Sequence, residues 1–239
     1  MGTLHKSFHQ FSAGLNTSQN VVELPFEHPI QNNWKVYCDN LTIGAVYADD
    51  AHWLVQANGG GTLGPGAANS MVMTGDGTVF SGYSLYKKAA DKLLAKKFYF
   101  ETRLMLTATS VPDNGIFVGY TSANEAMTTG AVDALDGGDE ALGFGQVSQD
   151  TALSFYSRQD GVNQTISLGS PLVTATYTTL VCYYDGANFN LYRDSNLISK
   201  TAMTKLNTDE GMTPQVFFEA VNAAANTLNV QYLLMAIEL

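Results

Sequence analysis

Four acidic residues crowd into one short run, Asp133, Asp136, Asp139 and Glu140 in VDALDGGDEALG. Paired carboxylates can break a glycosidic bond, but two on one β-strand share a face only when they lie two residues apart. This run has no such alternation, and its two glycines make it a loop. A loop rich in carboxylate oxygens suits a hard cation such as calcium, although the spacing does not match an EF-hand. A solvated loop and a cation-binding loop both remain open, and no metal is assigned. His5, His9, His28 and His52 all precede position 53. His5 and His9 would share a helix face, but no cysteine or acidic residue stands at an interval that completes a zinc site. No Gly-x-Ser-x-Gly occurs, Cys182 has apolar neighbours, and the glycines from 59 to 66 lack the Lys-Ser/Thr ending of a phosphate loop. The expectation is no catalytic residue, no cofactor and no enzymatic activity. Tyr156, Tyr183 and Tyr192 are candidate stacking surfaces for sugar rings, or else packing residues on one face of a sheet.

The elements that would position these residues read as strands. Trp34 to Cys38 alternates, His52 to Gln56 follows, and the glycine-rich stretch from 59 to 66 reads as a loop. From Met71 onward about ten or eleven short strands recur between turns, with a single helical turn expected over Ala89 to Leu94. In Phe98 to Leu106 the residues Phe98, Phe100, Thr102, Leu104 and Leu106 fall on one face. Tyr99, Glu101, Arg103 and Met105 fall on the other, which Glu101 and Arg103 make the wetter one. Ile116 to Thr121 is apolar enough for a strand buried on both faces. Thr178 to Tyr184 and Asn188 to Arg193 form a hairpin around Asp185-Gly186, with a further turn at Asp194-Ser195-Asn196. The fold class is all-β, an antiparallel β-sandwich over residues 34 to 239 with core strands from about 70, preceded by an extended arm over residues 1 to 33.

Composition fits an ordered domain, with 45% hydrophobic and 14% charged residues. The net charge of −10 disfavours nucleic acid or an anionic membrane as partner. No stretch is apolar enough to span a bilayer, and the opening MGTLHKSFHQFSAG lacks the pattern of a secretory signal. Six of the twelve basic residues lie between Lys87 and Arg103, as a solvated rim or a docking patch for an acidic partner. Cys38 and Cys182 sit in apolar runs and read as buried free thiols. The polar arm carries Phe8, Phe11, Leu15, Val21 and Phe26, the side chains expected to grip a partner.

The order of several segments carries a resemblance. Phe98-Tyr99-Phe100-Glu101-Thr102-Arg103-Leu104, Gly115 to Thr121, Ala141 to Gly145, the hairpin Cys182 to Asp194 and the closing Thr227-Leu228-Asn229-Val230-Gln231-Tyr232 follow one another as in concanavalin A-like jelly rolls. The arrangement is most similar to virion structural proteins of tailed bacteriophages, with Gln231 standing where an aspartate is expected. That resemblance implies a protein made in the host cytoplasm that decorates or cements the capsid exterior. Its partners would be the major capsid protein or other virion proteins and, as a dimer or trimer, further copies of itself. The alternative is a carbohydrate-binding adhesion module contacting surface glycans, and a glycoside hydrolase is a third reading.

Overall fold

The computed structural model describes residues 34–39, 53–58, 60–66, 70–77, 81–87, 91–92, 96–108, 114–122, 140–146, 152–206, 211–220 and 226–238. In chain order the strands are β1 (Trp34–Asp39), β2 (Trp53–Asn58), β3 (Gly61–Gly66), β4 (Ser70–Gly75), β5 (Ser81–Lys87), β6 (Asp91–Lys92), β7 (Phe98–Thr107) and β8 (Asn114–Thr121). The second half holds β9 (Ala141–Gln146), β10 (Ser154–Gln159), β11 (Val162–Ser167), β12 (Thr178–Tyr184), β13 (Asn188–Arg193), β14 (Asn196–Ala202), β15 (Gly211–Ala220) and β16 (Thr227–Glu238). They form two antiparallel sheets. The first runs β14-β13-β12-β7-β16-β4-β3 with β1 beside β16, and the second runs β11-β10-β9-β8-β15-β5-β2 with β6 beside β15. The expected all-β sandwich is the observed architecture.

Alternation places one side of each strand between the sheets. Phe98, Phe100, Leu104 and Leu106 of β7 meet Ile116, Val118 and Tyr120 of β8 and Val216 and Phe218 of β15 in one buried core. Aromatic rings form a chain through it. Phe100 stacks on Phe144 at 5.8 Å, Phe144 meets Phe155 edge-on at 5.3 Å, and Phe155 lies 5.0 Å from Phe189. Such pairs add to the gain from burial alone. Cys182 is fully buried here as a free thiol, and burial pushes its pKa well up.

β16 shares the centre of the first sheet with β7 and changes face part-way along. Val230 pairs with Leu104 and Tyr232 with Arg103, so Gln231 is an extra residue in the ladder. Before it Leu228 and Val230 point inward, and after it Leu233, Met235 and Ile237 do. The bulge therefore sends Tyr232 to the outer face.

Three local expectations are corrected. The glycine-rich stretch is not all loop, because Gly61–Gly66 forms β3, paired along its length with β4. An end strand needs only its backbone for that ladder, and it tolerates Pro65 and side-chain-free positions. The helical turn over Ala89 to Leu94 is replaced at Asp91–Lys92 by a two-residue bridge to Gly211 and Met212. β11 and β14 escaped the sequence reading because VNQTIS and NLISKTA are end strands with few apolar residues to mark them.

Candidate functional site

The outer face of the first sheet departs most from its expected character. Tyr99 and Glu101 belong to the face read as the wetter one, yet they are only 2% and 1% exposed. Their polar groups are satisfied in a buried hydrogen-bond group. Both Tyr99 Oη and Tyr232 Oη donate to the Glu101 carboxylate. Two hydroxyl donors offset part of the cost of taking a carboxylate out of water. Burial first, then the neighbouring Glu101 charge and the hydrogen bond to it, hold the Tyr99 pKa well above the ordinary phenol value.

Two rungs of side chains cross this face. Tyr192, Val181, Glu101 and Leu234 stand opposite one another on β13, β12, β7 and β16, and Asn190, Tyr183, Tyr99 and Ala236 form the next rung. Tyr192 is buried, whereas Tyr183 is half-buried. Beside Tyr183, the Asn190 amide donates to the Tyr183 carbonyl at 3.2 Å and to Asp185 Oδ2 at 3.3 Å. Asp185 Oδ1 accepts from the Ala187 and Asn188 amides at 3.0 and 2.7 Å, an arrangement that builds the turn completed by Gly186 at φ 98°. Burial pushes the Asp185 pKa up, but hydrogen bonds from the Asn188 and Ala187 backbone and the Asn190 and Asn188 side chains outweigh it and leave the pKa lowered. Burial, with Asp185 and Glu238 nearby, raises the pKa of Tyr183, so its hydroxyl stays protonated at neutral pH. Further along, Arg103 donates to Gln231 Oε1 at 3.0 Å and lies 5.0 Å over the Tyr177 ring.

The outer face of the second sheet is glycine-lined and mixes aromatic with polar side chains. Phe117, Phe217, Tyr156 and Ala141 form a small buried cluster there. Gly119 and Gly143 oppose each other under Phe117, and a Cβ on either would come within 2.9 Å of the tip of its ring. Thr121 Oγ1 donates to Gln215 Oε1 at 2.6 Å beside them. Tyr156, 4% exposed, packs over Gly145 and presents no open ring face.

Of the acidic run, Glu140 alone lies among the described residues. It is 1% exposed, its Oε1 accepts from the Asp160 amide at 3.0 Å, and its Oε2 is buried with no hydrogen-bond partner. Asp133, Asp136 and Asp139 lie outside the described residues, as do Phe8, Phe11, Leu15, Val21 and Phe26. Among the described residues no group of three or more His, Cys, Asp or Glu stands together as a metal site. The sequence reading missed Tyr99, Glu101 and Tyr232. Its one available signal was a glutamate placed two residues from a tyrosine on a strand, since Tyr232 is 131 positions away from Glu101.

No family model and no curated relative matches the sequence. Solved structures match by shape. The carbohydrate recognition domain of Emp47p superposes with a TM-score of 0.59 at 12% identity, over 87% of this chain and 98% of that one. An endo-1,3-beta-glucanase from Streptomyces sioyaensis gives 0.61 at 10% identity over 87% and 98%. A beta-1,3-glucanase from Mycobacterium marinum gives 0.58 at 10% identity over 83% and 97%. The fold is the concanavalin A-like jelly roll. At these identities the likeness speaks to fold, and a virion role is not shown by it.

The glucanases among these jelly rolls correct the expectation that such a sandwich is not equipped to break a covalent bond. That expectation rested on motifs sought along the sequence, the spacing of carboxylates around residues 133 to 140 among them. Catalytic groups are brought together in space, and Glu101 shows how far sequence spacing misjudges a carboxylate on this fold.

Proposed function

We propose that this jelly roll recognises carbohydrate on the outer face of its first sheet, with Tyr183 as the stacking residue. The observation that carries this reading is a half-buried tyrosine whose backbone carbonyl accepts from the Asn190 amide, beside the Asp185 carboxylate and among buried tyrosines. A sugar ring offers an apolar face to stack and equatorial hydroxyls to hydrogen-bond, and this group supplies both kinds of contact. The carbohydrate recognition domain and the glucanases that share the fold support the substrate class.

The test is calorimetric titration with β-1,3-linked glucan oligosaccharides and a glycan array, alongside an assay for release of reducing ends. Binding that weakens about tenfold, ~1.4 kcal/mol, in Tyr183→Ala supports the site. A folded protein that binds no glycan on the array rejects it. Release of reducing ends would make the chain a glycoside hydrolase rather than a binding module.

A second reading is a virion structural protein that decorates or cements a capsid exterior. It is supported by the motif order, since the segments that carry the resemblance occupy β7, β8, β9, the β12–β13 hairpin and β16 in sequence. Deleting residues 1 to 33 should then abolish incorporation into particles while leaving a folded sandwich. Full decoration by the truncated chain rejects a gripping arm.

A further inference from the structure

The end strands of the two sheets are not guarded alike. An unpaired edge invites another strand, and proteins blunt it with charge, proline or a bulge. β14 carries Lys200 and an extra residue at Ile198, where its register with β13 shifts. β3 carries Pro65 between glycines. β11, reading Val162-Asn163-Gln164-Thr165-Ile166-Ser167, has no charge, no proline and no bulge, and is the third end strand with side chains described.

Its geometry is set by a tight hairpin. Asp160 and Gly161, at φ 50° and 74°, make a two-residue turn of the kind that fits strand twist. Val162 then exchanges hydrogen bonds with Gln159, Gln164 with Ser157 and Ile166 with Phe155. The backbone groups of Asn163, Thr165 and Ser167 point away from the sheet. β11 and β14 lie on one margin of the sandwich, bridged where Gln164 donates to the Ala202 carbonyl at 2.7 Å and accepts from the Thr204 amide at 2.8 Å. Among the described residues the large exposed apolar side chains are Val162, Val173, Leu197 and Ile198, and three of them are on these two strands.

We propose that this margin docks a second copy of the chain, with β11 pairing antiparallel to β11 of the other copy about Thr165. Asn163 then faces Ser167 across the two-fold axis, and the second sheet continues through both molecules. Charge does not oppose a like partner at this place. Copies bearing −10 each repel, whereas β11 is neutral and the one charge on β14, Lys200, is 3.8 Å from Asp185 of its own chain. Leu197 and Ile198 lie on the same margin in the other layer, where their exposed surface would be covered. The pairing does not depend on the carbohydrate reading.

Sedimentation equilibrium of the full chain tests it, with Thr165→Pro as the main variant. The Thr165 amide is outside the β10 ladder, so proline there is compatible with the fold. The expected result is a dimer for the parent, and a monomer for Thr165→Pro and for Thr165→Lys, both retaining the parental circular dichroism. Val173→Lys, on the crossing loop, serves as control and stays dimeric. A parent that is monomeric at about 100 μM, a concentration that reveals even a ~10 μM dimer, overturns the proposal. So does a folded Thr165→Pro that dimerises as the parent does. If Thr165→Pro does not fold, the folded Thr165→Lys decides between these outcomes.

Discussion

Replacing Tyr232 by phenylalanine removes one oxygen and leaves the ring. In the structure that oxygen donates to Glu101, whose carboxylate is 1% exposed and which also accepts from Tyr99. A hydrogen bond to a charged group contributes about 1.5–3 kcal/mol, and a partner left buried without it costs a similar amount. Because the ring still fills its space, no cavity adds to the loss. The expected destabilisation is about 2 kcal/mol, which in a chain of this size lowers Tm by roughly 4 to 8 °C. Differential scanning calorimetry at neutral pH, with urea unfolding as a second measurement, reads the effect. Tyr99→Phe should cost a comparable amount. The double variant should fall short of the sum, since both hydroxyls serve one carboxylate. A Tyr232→Phe protein melting within about 1 °C of the parent would show that Glu101 does not rely on this hydroxyl, and the account of its burial would fail.

Alkali should destabilise the fold. Tyr99 has a raised pKa when folded, so its stabilisation is complete below the unfolded value of 10.0 and is lost as pH rises through the folded value. Tyr99→Phe should flatten that decline by about 1.4 kcal/mol per pH unit, measured as urea stability between the two values. Asp185 behaves oppositely. Its lowered folded pKa gives stability that is present above 3.8 and lost as pH falls through the folded value, so the Tm gap between the parent and Asp185→Asn should narrow in acid. Its ion pair with the exposed Lys200 adds little, and Lys200→Ala should leave Tm nearly unchanged. Gly143→Ala would set a Cβ 2.5 Å from the Val118 carbonyl and 2.6 Å from the Gly119 Cα, forcing neighbouring strands apart. A loss of about 1–3 kcal/mol in urea unfolding is expected.

Strands with a strong apolar period were legible in the sequence. The inward set Phe98, Phe100, Leu104 and Leu106 on β7 lies in the core as alternation requires, and every residue of β8 is buried. The turn at Asp185-Gly186 was legible because carboxylate and glycine chemistry are local. What failed depends on partners far along the chain. A glutamate in a strand looks solvated until Tyr232 arrives from another strand, and a glycine run looks irregular until β4 supplies a ladder. The candidate site was half legible. Tyr183 and Tyr192 were picked out by residue type, whereas Tyr99, Glu101 and Tyr232 were not, because they come together from β7 and β16.

Gln231 gives the closing strand a parity. As the extra residue it lets even-numbered side chains face the core before it and odd-numbered ones after it, with Tyr232 left beside Glu101. Removing its codon would set Tyr232 directly after Val230, opposite Arg103 and Leu104, so the ladder would become regular while Leu233, Met235 and Ile237 still faced the core. Such a position can be lost without a change of register, so relatives of this chain should vary at 231, and those that lack it should keep the same side chains facing the core.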